Sequence, residues 1–297
     1  MLDSHPMLSP ALRLLMTLAG KLLLGKSTVG FVPLITPRDG QQDFSFPPPT
    51  NSSTLLFASG SKENLGKLLA RCRSEGTTIF GAMIAAIVVG YAAVTDSQEA
   101  TVFKIRVYAN LNMCSRVSEP VKPETVGCFA TASEMEKLSK TSMNVVEERF
   151  WDLARAAKQE TEEIAANFAG LVLPMILFDQ RFTPRAEQQS LDGVTIRHAS
   201  AGDTVLSSIG RYAHPICHVF ATGELRVDAL HFNCHIPYLA PATQFYLTSM
   251  HSLGYGLSHH YDESMGRALF TAVVAVMEHA GDIDSDATLA DVIRRPN

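Results

Sequence analysis

Between residues 61 and 73, apolar positions recur every three to four residues. Leu65, Leu68, Leu69 and Cys72 form one stripe, and the spacing predicts a helix capped by Ser61 and ended by Glu75-Gly76. Thr77-Thr78 opens a second helix from Ile79 to about Val94, whose sequence IFGAMIAAIVVGYAAV carries no charge. A helix apolar on every side is buried on every side, so this segment is expected at the centre of the fold. Gly81, Ala85, Ala86 and Gly90 would let its neighbours approach closely. Over 102–109 the period changes to two. Phe103, Ile105, Val107 and Ala109 alternate with Lys104, Arg106 and Tyr108, which predicts a strand with one wet side.

Further along, 126–133 reads as a strand and 144–168 as a long helix bearing Phe150, Trp151, Leu153, Ala154 and Ala157. Leu171–Phe178 and 194–199 read as short strands, 214–235 as a hairpin turning at Thr222-Gly223, and 243–261 as another strand pair. A last helix is expected from about Glu263 to His279, followed by an acidic, loosely held tail. At the other end, Ser9-Pro10 starts a helix over 11–24 that Gly25 stops. Residues 25–53, with Pro33, Pro37, Asp39-Gly40 and Pro47-Pro48-Pro49, form an extended connector, because consecutive prolines exclude helix. Helices and strands mix without a βαβ rhythm, so the expected class is α+β, a layered α/β arrangement with a mixed sheet. The expected divisions are a helix and connector over 1–53, a lobe over 54–281 and the tail over 282–297.

Composition narrows the function classes. The chain has 297 residues, 46% of them apolar and 19% charged, which is ample for a buried core. A net charge of −5 argues against a nucleic-acid binder, whose domain is usually basic. The 5 cysteines are odd in number and scattered, and they read as reduced thiols of a cytoplasmic protein. The apolar stretch Ala11–Leu24 is broken by Arg13 and Lys21 and is too short to span a bilayer, so no membrane span is expected.

Three motifs carry candidate chemistry. Gly20-Lys21-Leu22-Leu23-Leu24-Gly25-Lys26-Ser27 matches the P-loop string, but the residues before it are helical in pattern and those after it cannot begin a long helix. A helix end is the better reading. His231, Cys234 and His235, with Cys217-His218 on the facing strand, invite a zinc site. Alternation sends neighbours to opposite faces, which leaves at most three ligands, and no metal is expected. His259-His260-Tyr261-Asp262 offers a histidine near a carboxylate, a general-base arrangement suited to neutral pH. The competing reading is a strand end followed by a helix cap.

Four segments, in order, resemble one superfamily, the chloramphenicol-acetyltransferase-like (CAT-like) acyltransferases, which include alcohol acetyltransferases and condensation domains. They are Ser74–Val94, Tyr108–Thr131 with its Arg116 turn and Val-Gly-x-Phe, Phe150–Lys158 (FWDLARAAK), and Gly256–Ala280 with Tyr261-Asp262. The resemblance covers about residues 54–281 and implies the C-terminal lobe of a two-lobed fold whose active site lies between the lobes. It implies transfer of an acyl group from acyl-CoA, a co-substrate and not a bound cofactor, to a small hydroxyl or amine acceptor. The family's catalytic motif, HHxxxDG, lies late in the other lobe, and none occurs in this sequence. His259-His260 departs from it, with Ser264 and Met265 in the last two positions. Arg116 stands where the family's arginine pairs with the motif aspartate, which marks it as a lobe-interface residue that must face solvent or find another carboxylate.

These observations leave three readings. The chain is a truncated acyltransferase; or it is a non-catalytic lobe that binds a ligand or partner, with a homodimer or partner lobe covering its exposed interface; or it carries a different chemistry around His259, His260 or His231.

Overall fold

The uncharged run Ile79–Val94 lies at the centre of the molecule, with every residue from Gly81 to Tyr91 buried. The computed structural model describes residues 31–38, 44–45, 53–95, 101–114, 121, 130–167, 195–196, 201–236 and 240–295. In chain order these residues form β1 (Phe44–Ser45), β2 (Thr54–Ser59), α1 (Lys62–Ser74), α2 (Ile79–Val94), β3 (Val102–Phe103), β4 (Val107–Asn112) and β5 (Ala130–Glu134). Then come α3 (Glu136–Lys140), β6 (Met143–Asn144), α4 (Phe150–Ala166), β7 (Thr195–Ile196), β8 (Thr204–Arg211), β9 (Cys217–Phe220) and β10 (Gly223–Arg226). Last are β11 (Thr243–Ser249), β12 (Leu253–His259), α5 (Glu263–His279), a 3-10 turn at Ala280–Asp282 and α6 (Leu289–Arg294).

Local signals set the helix starts. The Ser61 side chain accepts from the Asn64 amide, and that of Thr78 accepts from the Gly81 amide, each satisfying one of the free donors of a first turn. Gly76, at φ 67, turns the chain between α1 and α2.

A 6-stranded sheet has the order β2-β12-β11-β8-β4-β5. β8 runs parallel to β11 and β4, and the other neighbours are antiparallel, so the sheet is mixed, as expected. Alternation along β11 and β12 sends Phe245, Leu247, Leu253, Tyr255 and Leu257 into the core. α2 packs between α5 and α4. A β-carbon on Gly90 would collide with Val273 of α5, and one on Gly81 with the Ala154 carbonyl of α4, so both positions need their glycine for helix contact.

A buried polar junction joins the layers. The Tyr91 hydroxyl bonds the Asp203 carbonyl at 2.9 Å, Thr243 Oγ1 at 2.9 Å and the Tyr261 hydroxyl at 3.0 Å. The Asp203 carboxylate accepts from the Leu34 amide at 2.7 Å and the Arg106 amide at 2.8 Å, which holds residues 31–38 against the body of the fold.

Several expectations are corrected. The predicted strand at 102–109 divides, because Val102–Phe103 pairs with β6 while Val107 onward pairs with β5 and β8; its alternating burial persists across the break. The long helix begins at Phe150, not 144, since Met143–Asn144 is used as a strand. Only Cys217–Phe220 and Gly223–Arg226 of the 214–235 hairpin form a ladder, turning on Ala221-Thr222. The connector contains a paired segment, Phe44–Ser45 against Thr195–Ile196. The tail is not loosely held. Ile283, Leu289 and Val292 are buried, the Leu289 amide donates to the Glu148 carbonyl at 2.9 Å, and Trp151 Nε1 donates to the Ile283 carbonyl at 3.1 Å. The helix over 11–24, the P-loop string, Leu171–Phe178, Cys128 and Arg116 lie outside the described residues.

No single helix among the described residues is long and apolar enough to cross a membrane. The pair α1 and α2 is bent by 102°, and its apolar member is the core helix.

Candidate functional site

Residues 230–236 lie across the face of the sheet that the described helices leave uncovered, running in step with β12. The Leu230, Phe232 and Cys234 carbonyls sit over Gly254, Gly256 and Ser258, and the Ile236 carbonyl meets His260. A β-carbon on Gly254 would stand 2.6 Å from the Leu230 oxygen, and one on Gly256 would stand 3.2 Å from the Phe232 oxygen. The small residues of Gly-x-Gly-x-Ser thus form the floor of a groove that admits a backbone strap. Cross-strand pairing supplies the walls: Leu55, Phe57 and Ser59 from β2, and Gln244, Tyr246 and Thr248 from β11.

The strap is held by side chains on both sides. Thr248 Oγ1 donates to the Leu230 carbonyl at 2.6 Å, Ser258 Oγ donates to the Cys234 carbonyl at 2.7 Å, and the Cys234 amide donates to the Tyr246 hydroxyl at 3.1 Å. Ser258 also bonds Asn233 Oδ1. Odd-numbered histidines lean toward β2: His231 Nε2 meets Ser59 Oγ at 3.1 Å, and His235 Nδ1 meets Ser53 Oγ at 3.2 Å. Even-numbered residues lean toward β11, where Phe232 packs edge-on against Tyr246, and the Cys234 thiol contacts the Tyr246 hydroxyl at 2.8 Å and Gln244 Oε1 at 3.6 Å. Burial raises the Tyr246 hydroxyl above the ordinary phenol range, so it is protonated at neutral pH. Cys234 itself is exposed.

The candidate zinc set is divided by this geometry, since His231 and His235 point away from Cys234, and no group of three or more metal-ligating side chains occurs among the described residues. His259 and His260 are also separated. His259 faces the helices and is fully buried beside Gly266 of α5. Burial holds its imidazole below the ordinary histidine range, so it is neutral and closed to an incoming acceptor. His260 turns the other way, and its Nε2 meets the Ile236 carbonyl at 3.1 Å, clipping the end of the strap. Asp262 stands at the N-cap of α5 with no side-chain capping bond.

Sequence reasoning singled out Cys234 and His231 but missed Gln244, Tyr246 and Ser258. The available signal was the run Leu-Gly-Tyr-Gly-Leu-Ser-His over 253–259, in which every second residue is small. Such a stripe marks a face where another backbone comes close. A separate cavity of about 300 Å³ opens between α3 and α4, lined in part by Lys137, Asp152 and Glu160. Its buried carboxylate, Glu160, is engaged with the Lys137 and Leu138 amides at 2.7 and 3.1 Å, so it serves the start of α3.

No family model matches the sequence, and no curated protein matches it. Solved structures do. The trichothecene 15-O-acetyltransferase of Fusarium sporotrichioides superposes with a TM-score of 0.52 at 14% identity, over 80% of this chain and 48% of its own. The condensation domain of the Monacolin K polyketide synthase MokA gives 0.56 at 13% identity, over 92% and 59%. The X-domain from teicoplanin biosynthesis, solved in complex with OxyB, gives 0.54 at 11% identity, over 95% and 56%. This chain therefore has the CAT-like fold of acyltransferases and condensation domains, and it spans about half the length of the chains it matches.

Proposed function

We propose that this chain is the C-terminal half of an acyltransferase that moves an acyl group from acyl-CoA to a hydroxyl or amine acceptor, the other half supplying HHxxxDG. One observation carries the reading: a CAT-like lobe, about half as long as its structural matches, presents an ordered polar strap on the sheet face opposite its described helices. Acyl transfer needs an oriented donor, a general base and donors for the developing oxyanion. The strap and β11 supply oriented hydroxyl, amide and thiol groups, while the paired histidines of this chain are spent on packing and on the strap. The acetyltransferase among the matches supports an acyl donor.

The test is thiol release from acetyl-CoA with hydroxyl and amine acceptors. It is run on this chain and on the protein extended by the in-frame upstream reading of its transcript. Turnover by the extended protein alone supports the reading, whereas no turnover by either overturns it.

A second reading is a non-catalytic lobe that binds a protein, favoured by the X-domain, which has this fold and was solved with OxyB. Leu55, Phe57 and Ile209, respectively 46%, 51% and 52% exposed, would then meet a partner lobe or a second copy. Under that reading the chain forms a stable complex or homodimer in sedimentation and turns over no acyl-CoA.

A further inference from the structure

We propose that the cavity between α3 and α4 is an accessory site for a small free amine, an ammonium group carried on a short aliphatic chain. This goes beyond the acyl-transfer reading and does not depend on it. The cavity has a volume of about 300 Å³, at the lower end of the range for small-ligand sites. α4 packs against α2 in the helix layer, so the cavity and the strap belong to opposite sides of the sheet.

The lining combines an apolar floor with acidic walls. Leu138, Met143 and Leu153 are buried side chains of the floor, while Glu148, Asp152 and Glu160 contribute carboxylates. Lys137 is the basic side chain of the lining, and its ammonium is ion-paired with Glu163; Asp152 is paired with Arg155. Neither Glu163 nor Arg155 lines the cavity.

Glu160 is the decisive group. It is 5% exposed, and its oxygens accept one bond each, from the Lys137 and Leu138 amides at 2.7 and 3.1 Å. An ionised carboxylate accepts about four such bonds, so beyond its service to α3 this one keeps acceptor capacity. No ion pair reaches it among the described residues; Lys140 acts on it only at a distance, its ammonium held by Glu136 at the surface. A buried charge without a contacting counter-ion costs stability, and a cation in the cavity would supply one. Glu148, half-buried in the same lining, also makes no side-chain hydrogen bond or ion pair among the described residues.

The donor set selects the ligand class. No group of three or more metal-ligating side chains converges among the described residues, so these carboxylates do not form a cage for a metal ion. An anion would be repelled, and an uncharged hydrocarbon would leave Glu160 uncompensated. An alkylammonium satisfies both halves of the cavity. Its chain covers the apolar floor, and its three N–H donors meet the carboxylates of Glu160 and Glu148.

The test is a titration of the 15N-labelled chain with n-butylammonium chloride at constant ionic strength and pH 7, where the amine is protonated as lysine is. We expect saturable chemical-shift changes confined to the amides of 137–143 and 148–160. n-Butanol, which has the same chain without the charge, should bind about tenfold more weakly or less. Glu148→Gln should weaken amine binding by about tenfold. Ala156→Leu, a larger side chain at an exposed helical position of the lining, should abolish it, with unchanged circular dichroism in both variants. Shifts that do not saturate, equal binding of n-butanol, or wild-type affinity in either variant overturns the proposal.

Discussion

The imidazole of His259 fills the space that a β-carbon on Gly266 would need. The contact seats the first turn of α5 against the end of β12, and neither residue has room for a larger neighbour. Gly266→Ala should therefore destabilise the protein by about 1–3 kcal/mol through overpacking, read as a lower urea midpoint. Combining it with His259→Ala should cost less than the sum of the single changes, because the smaller side chain frees the space the methyl group needs. A strictly additive double-mutant cycle would remove this explanation.

Asp203 and His259 should pull stability in opposite directions with pH. Burial pushes the Asp203 carboxyl up to about 6, so the folded state holds that proton more tightly than the unfolded chain does. Its contribution is fully present below about pH 4 and is lost as pH rises through about 6, a change of roughly 3 kcal/mol. His259 is lowered by burial, so its contribution is complete above about pH 6.5 and is lost as pH falls through its depressed folded value. Urea midpoints measured from pH 4 to 8 should show that the wild type's decline in stability from pH 4 toward neutrality is flattened in Asp203→Asn, whose side chain is neutral at every pH. The loss of stability below neutrality should be weakened in His259→Leu.

Filling the floor of the groove should displace the strap while sparing the core. Gly254→Ala places a methyl group over the Leu230 carbonyl, where Thr248 already donates at 2.6 Å. Hydrogen exchange at 230–236 should accelerate while the amides of α2 keep their protection. Tyr246→Phe should have the same local effect, because it removes the hydroxyl that accepts from the Cys234 amide. Its cost should be about 1–3 kcal/mol of local stability. Equal acceleration across the whole chain would mean that the strap is part of the global folding unit.

The C-terminal segment should matter for stability despite its polar composition. Leu289 is fully buried, so Leu289→Ala should destabilise by about 2–5 kcal/mol in thermal or chemical denaturation. A change near zero would contradict the packing of α6 against α2.

His260→Ala should loosen residues 235–236, whose Ile236 carbonyl meets its ring. If His260 acts only as a clip, activity of the extended protein should fall without a change in the pH profile. Loss of an ionisation near neutrality from that profile would instead make it a proton-transfer group.

Much of this architecture follows from local pattern. The uncharged run at 79–94 could only be a core helix, Ser61 and Thr78 cap where capping chemistry places them, and the last helix spans Glu263–His279 as its periodicity requires. The absence of HHxxxDG is likewise a property of the sequence alone. What only tertiary structure decided depends on contacts between distant segments. Adjacent histidines at 259 and 260 look alike in sequence, yet strand alternation buries one against Gly266 and turns the other to the Ile236 carbonyl. The acidic stretch after 282 looked detachable because its few apolar residues carry no long period, and their burial depends on Trp151 and α2 being nearby. The strap, and with it the setting of Cys234, came from the third dimension. A segment that lies over a strand instead of beside it leaves no ladder pattern, and its only trace in the sequence is the small residues at 254, 256 and 258 beneath it.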